Sequence, residues 1–95
     1  MKALAEIQVV PIGTGVSVRS EVKRAHALLA ESGLEVQLHS YGTNVEGELS
    51  QIFRAVEKVH ETLHREGTVR LMTSMKIGTR TDKDPSLTAK LFKSG

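Results

Sequence analysis

Two amphipathic helices interleaved with stretches of strand character predict an α+β fold, an antiparallel sheet carrying both helices on one face. Three observations predict it. Apolar residues alternate with polar ones near residues 3–10, 34–41 and 69–77. They recur every three or four positions in two longer segments, and glycines stand at the junctions.

The first strand sets Ala3, Ala5, Ile7 and Val9 on one side and Leu4, Glu6, Gln8 and Val10 on the other, and Pro11 is expected to close it. Gly13-Thr14-Gly15 turns the chain. From Ser17 the apolar positions Val18, Val22, Ala25 and Leu29 step as a helix requires, with Leu28 widening the stripe. Ser17 suits the N-cap, and Gly33 the left-handed residue at the end. Leu34, Val36, Leu38 and Ser40 alternate with Glu35, Gln37, His39 and Tyr41 as a second strand, which Gly42 breaks. A short third strand is expected within residues 43–47. Leu49, Ile52, Phe53, Val56, Val59 and Leu63 then mark a second helix, core-facing at Phe53 and ending at Gly67.

The last strand alternates Val69, Leu71, Thr73, Met75 and Ile77 with Arg70, Met72, Ser74 and Lys76, and stops at Gly78. A polar loop leads through Pro85 to a short terminal helical segment, Ser86 to Lys93. The order strand, helix, strand, strand, helix, strand is the split βαβ arrangement called ferredoxin-like. One sheet face is then uncovered, carrying Leu4, Glu6, Gln8, Val10, Gln37, His39, Tyr41, Arg70, Met72, Ser74 and Lys76. This mixture is too apolar to be only solvated, and predicts a subunit interface or a ligand face. The segment Thr68 to Ile77 is the expected free edge.

A chain of 95 residues is one small domain, spanning 1–95, for which an oligomer is a natural way to gain burial. It holds no Cys, which excludes disulfides, thiolate metal sites and a cysteine nucleophile, so a reducing cytoplasm is the expected compartment. Glu6 arrives before any apolar run of signal-peptide length, and no stretch could span a bilayer. No membrane partner is expected. The net charge is only +2 with both signs scattered, a weak basis for nucleic-acid binding. Aromatic residues make up 3% of the chain, too few for the stacking platform of an RNA-binding sheet.

His60-Glu61-Thr62-Leu63-His64 matches the H-E-x-x-H pattern of zinc proteases, with both imidazoles on one helix face. A catalytic zinc needs a third protein ligand, and neither His26 nor His39 is spaced to supply it. The bland reading, a charged helix end, is preferred. Gly13-Thr14-Gly15 before a helix lacks the spacing of a phosphate loop and reads as a turn. Glu46 can be a helix cap or a ligand-binding carboxylate. Lys76, Arg80, Asp82 and Lys83 can be a solvated loop or an ion-pair group between subunits. No set of nucleophile, base and orienting group is recognisable, so no enzyme activity is expected.

Pro11-Ile12-Gly13-Thr14, then Gly42-Thr43 followed by Glu46-Gly47, then Lys76-Ile77 with Arg80, Asp82 and Lys83, together resemble the small thiamine-binding family, related to the YkoF-like thiamine and hydroxymethylpyrimidine binders. The likeness runs in the right order over essentially the whole chain. It implies a ferredoxin-like subunit, dimers assembled into tetramers, no cofactor-driven chemistry, and reversible cytoplasmic binding of thiamine or its pyrimidine moiety. The last loop departs from the family's Lys-Ile-Asp-x-Arg-Arg-Asp-Lys at Gly78 and Thr81, which bears on assembly and on affinity.

Thiamine joins a thiazolium cation to a flat aminopyrimidine, and so asks for an acceptor, neutral hydrogen-bonding partners and an apolar or sulfur-bearing wall. Glu46 is the expected counter-charge; Thr14, Thr43 and Asn44 are the neutral set, and Met72 with Tyr41 is the wall. Lys76 would repel the cation, and suits Glu6, a partner subunit or a ligand phosphate instead. The expected function is non-enzymatic binding of thiamine or a related pyrimidine by a homo-oligomer, as carrier, buffer or sensor. The alternative is a structural or regulatory oligomer that binds a protein partner through the open sheet face.

Overall fold

The computed structural model describes residues 1–13, 19–83 and 85–86. Strand β1 (Lys2–Ile12) is followed by helix α1 (Arg19–Glu31), the strands β2 (Glu35–His39) and β3 (Gly42–Glu48), helix α2 (Leu49–Arg65) and strand β4 (Arg70–Gly78). The sheet order is β2-β3-β1-β4, and every pairing is antiparallel. This is the ferredoxin-like arrangement, with β4 at one edge as the sequence predicts. The expected N-cap Ser17 and all but the first residue of the expected terminal helix, Ser86 to Lys93, lie outside the described residues.

Alternation decides which sheet face is covered. Ala3, Ala5, Ile7 and Val9 of β1 and Val45 of β3 are buried together with Ala25, Leu28 and Leu29 of α1 and Ile52, Ala55, Val59 and Leu63 of α2. Each large side chain in this layer contributes about 1.5–3 kcal/mol through removal from water. The β1 residues that alternate with these, Leu4, Glu6, Gln8 and Val10, stand on the other face, opposite Gly78, Lys76, Ser74 and Met72 of β4.

The strand does not stop at Pro11. It continues to Ile12 because β3 pairs with β1 only as far as Ile7, so at Pro11 the strand has a neighbour on one side alone. A residue without an N–H is tolerated in that position.

Helix α2 opens at Glu48, not Glu46, which corrects the capping role considered for Glu46. The Glu48 N–H donates to Gln51 Oε1 at 3.4 Å in a capping box, and Gln51 Nε2 donates to the carbonyl of Ser32 at 3.0 Å. That second bond ties the start of α2 to the end of α1, where Gly33 is left-handed at φ +82°. Phe53, expected in the core, is half exposed. The buried stripe of α2 runs through Ile52, Ala55, Val59 and Leu63, and Phe53 falls one helical step, about 100°, away from Ile52.

Two surface ion pairs brace the termini of these elements. The Arg24 guanidinium reaches both Glu66 carboxylate oxygens at 2.9–3.2 Å, linking α1 to the end of α2, and the amino group of Met1 lies 2.9 Å from Glu48 Oε2. The hydrogen bond from Arg24 holds the Glu66 carboxyl below the ordinary range, and that from the amino terminus does the same for Glu48. A carboxyl lowered in the folded state adds stability above its ordinary pKa and loses it as the pH falls through the folded value. Acid melting curves should therefore fall less steeply for Glu66→Gln than for the unaltered chain, with the two proteins differing most near neutrality; parallel curves would mean that the pair is silent. Both pairs are exposed, so the effect is small.

Candidate functional site

The hairpin β2–β3 turns at Ser40-Tyr41, and β3 begins at Gly42. β1 runs on past this turn for five more residues, paired only with β4. The gap beside the overhanging end of β1 is roofed by α1 and forms a cavity of about 230 Å³. Ile7 and Val9 with Val22, Ala25 and Leu29 supply its apolar wall, while Gln8, His39, Ser40 and Thr43 add polar groups. Residues from both sheet faces line it, so the cavity is a notch in the sheet and not merely a pocket under a helix.

The structure separates the six residues expected to bind ligand. Tyr41 and Thr43 line the notch: Tyr41 at the hairpin tip is 78% exposed, and Thr43 is buried on the helix side. Asn44 and Glu46 lie on the open face, because they alternate with the inward residues Thr43 and Val45. Asn44 stands between Gln37 and Glu6, and Glu46 between Glu35 and Leu4. Met72, opposite Val10, is exposed on the same face. Thr14 lies outside the described residues.

His39 and Glu6 are residues that the sequence reading placed on the open face without a part in ligand binding. The backbone N–H of Tyr41 donates to His39 Nδ1 at 3.2 Å, which leaves the ring proton on Nε2. That buried Nε2 faces Glu6 Oε2 at 3.3 Å without hydrogen-bond alignment. Alternation already put His39 and Glu6 on one face; their meeting beside a notch depends on where pairing stops. Glu6 also faces Lys76 across the strands β1 and β4. In the last loop Arg80 grips Asp82 with two bonds of 2.5–2.6 Å, an ion pair within the loop itself.

The notch offers an apolar slot, hydroxyl groups at its rim, and the Glu6 carboxylate beyond His39. Among the described residues no three His, Cys, Asp or Glu side chains gather as a metal centre, and no helix is long and apolar enough to cross a membrane.

Comparison with known proteins places this architecture among relatives. The profile of a family described as thiamine-binding protein matches residues 5–94. The UPF0045 protein sll0230 of Synechocystis is 42% identical over 91 residues, which cover 96% of this chain and 75% of that protein. The UPF0045 protein MJ1052 of Methanocaldococcus jannaschii is 34% identical over 90 residues, 95% of this chain and 89% of that one. The crystal structure of MJ1052 superposes with a TM-score of 0.90 at 33% identity, covering 98% of this chain and 95% of the other. A Thermotoga maritima protein assigned provisionally to thiamine biosynthesis or salvage gives a TM-score of 0.87 over the full length of both chains, and at 21% identity it speaks for the fold alone.

Proposed function

The chain belongs to the thiamine-binding protein family, and from that membership we propose that it binds thiamine or a related pyrimidine such as hydroxymethylpyrimidine, reversibly and without chemistry. It does so as a cytoplasmic homo-oligomer acting as carrier, buffer or sensor. Family membership over nearly the whole chain carries this reading, and the notch beside β1 offers the place. Its volume of about 230 Å³ falls below the roughly 300–1,000 Å³ of sites that enclose a drug-sized ligand. It suits one flat ring. The aminopyrimidine enters between β1 and α1, with the Thr43 hydroxyl as partner for a ring nitrogen. The thiazolium cation remains at the open face, where Glu6 is the near carboxylate and Glu46, Asn44 and Met72 lie farther out. Lys76 beside Glu6 favours a ligand that carries phosphate next to its cation.

Calorimetric titration of the purified chain with thiamine and with hydroxymethylpyrimidine, together with its mass in solution, tests this. Saturable binding at one site per chain is expected, and Thr43→Val should weaken it about tenfold, or about 1.4 kcal/mol, with the melting temperature little changed. Heat of binding that Thr43→Val leaves intact would remove the ring from the notch. No heat and no thermal shift from a folded oligomer would overturn the binding reading as a whole.

A further inference from the structure

The H-E-x-x-H segment has a use other than hydrolysis. His60 and His64 are one turn apart on α2, on the side next to β4, with ring centres 6.2 Å apart. Each ring is held by one nitrogen. His64 Nδ1 lies 2.7 Å from the carbonyl of Thr68, an acceptor only, so Nδ1 carries the proton and Nε2 keeps its lone pair. His60 Nε2 lies 2.6 Å from the Thr73 hydroxyl on β4, and as donor there it leaves the Nδ1 lone pair available. A second nitrogen anchored to a carbonyl or hydroxyl is the usual support of a metal-bound histidine, fixing both tautomer and orientation.

We propose that His60 and His64 form a two-imidazole chelate for a divalent first-row transition-metal ion, bound through His60 Nδ1 and His64 Nε2. Metal–nitrogen bonds of about 2.0–2.1 Å require the two rings to turn toward one another, and the exposed His64 has the room to do so. No third protein ligand stands beside them among the described residues, so water fills the remaining positions and the ion exchanges freely. Imidazole pairs favour copper over zinc, nickel and cobalt, and leave magnesium and calcium unbound. The pair shares no residue with the notch, so the site stands or falls independently of thiamine binding.

The test is titration of the tag-free, chelator-treated chain with zinc chloride and nickel chloride at neutral pH. One ion per chain is expected, and His64→Ala should weaken binding at least tenfold without moving the melting temperature of the metal-free protein. His60→Gln should weaken it similarly, and His39→Gln should leave it unchanged. Equal affinity in the unaltered chain and in His64→Ala would overturn the assignment, as would the absence of saturation up to about 1 mM metal.

Discussion

Gly42→Ala should lower stability by about 3 kcal/mol, and in a chain of this size the melting temperature should drop by about 12–24 °C. Gly42 starts β3 at φ +158°, and a Cβ there would stand 2.6 Å from the carbonyl oxygen of Ile7 and 3.3 Å from its carbon. The obstacle is backbone in the middle of β1, so no side chain can swing aside. Relief requires the hairpin to move away from β1, which disturbs the pairing Ile7↔Thr43 and the rim of the notch together. Gly78→Ala is the matched control: nothing lies within 4 Å of its Cβ position, and its backbone is not left-handed. Thermal and urea melts of the two variants should differ sharply; a Gly42→Ala protein as stable as Gly78→Ala would mean that the hairpin is not held against β1.

Ile52→Ala should be comparably severe for a different reason. Ile52 is 0% exposed on the sheet side of α2, within the core that joins both helices to β1 and β3. Removing its outer carbons forfeits burial and leaves a void that the surrounding strands cannot collapse to fill, at about 2–5 kcal/mol. The variant should unfold at markedly lower urea. Because Ile52 does not line the notch, the folded fraction should bind ligand as the unaltered chain does. A loss of affinity without loss of stability would show that the core and the notch are coupled in a way the packing does not suggest.

The order of elements was legible because burial has a different period in strand and helix, and residues such as Ile7, Val45, Ile52 and Val59 carry that period directly. Boundaries were harder. Pro11 reads as a stop until it is known that β3 ends its pairing at Ile7, and the cap alternative for Glu46 stays open until Glu48 takes that place two residues later. Phe53 shows the limit of hydrophobicity alone, since its apolar character says nothing about which side of α2 it occupies. At the site, Thr43 and Asn44 were grouped as neutral hydrogen-bonding side chains, yet adjacent residues in a strand face opposite ways. Alternation contained that correction. The notch itself was not legible, because it arises from two strands stopping at different places, a property of neither strand's sequence by itself.

That unequal stopping also bears on how the notch could change over time. β1 pairs with β4 over nine positions and with β3 over six, so the length of the β2–β3 hairpin determines how much of β1 is left uncovered. Lengthening that hairpin by two residues, one on each arm, would extend the pairing past Ile7 and make the notch shallower; trimming it would open more of β1. A single added residue would instead turn the inward side chains outward. The size of the notch is thus adjustable by paired insertions at one turn, while the helices and the core beneath them stay as they are.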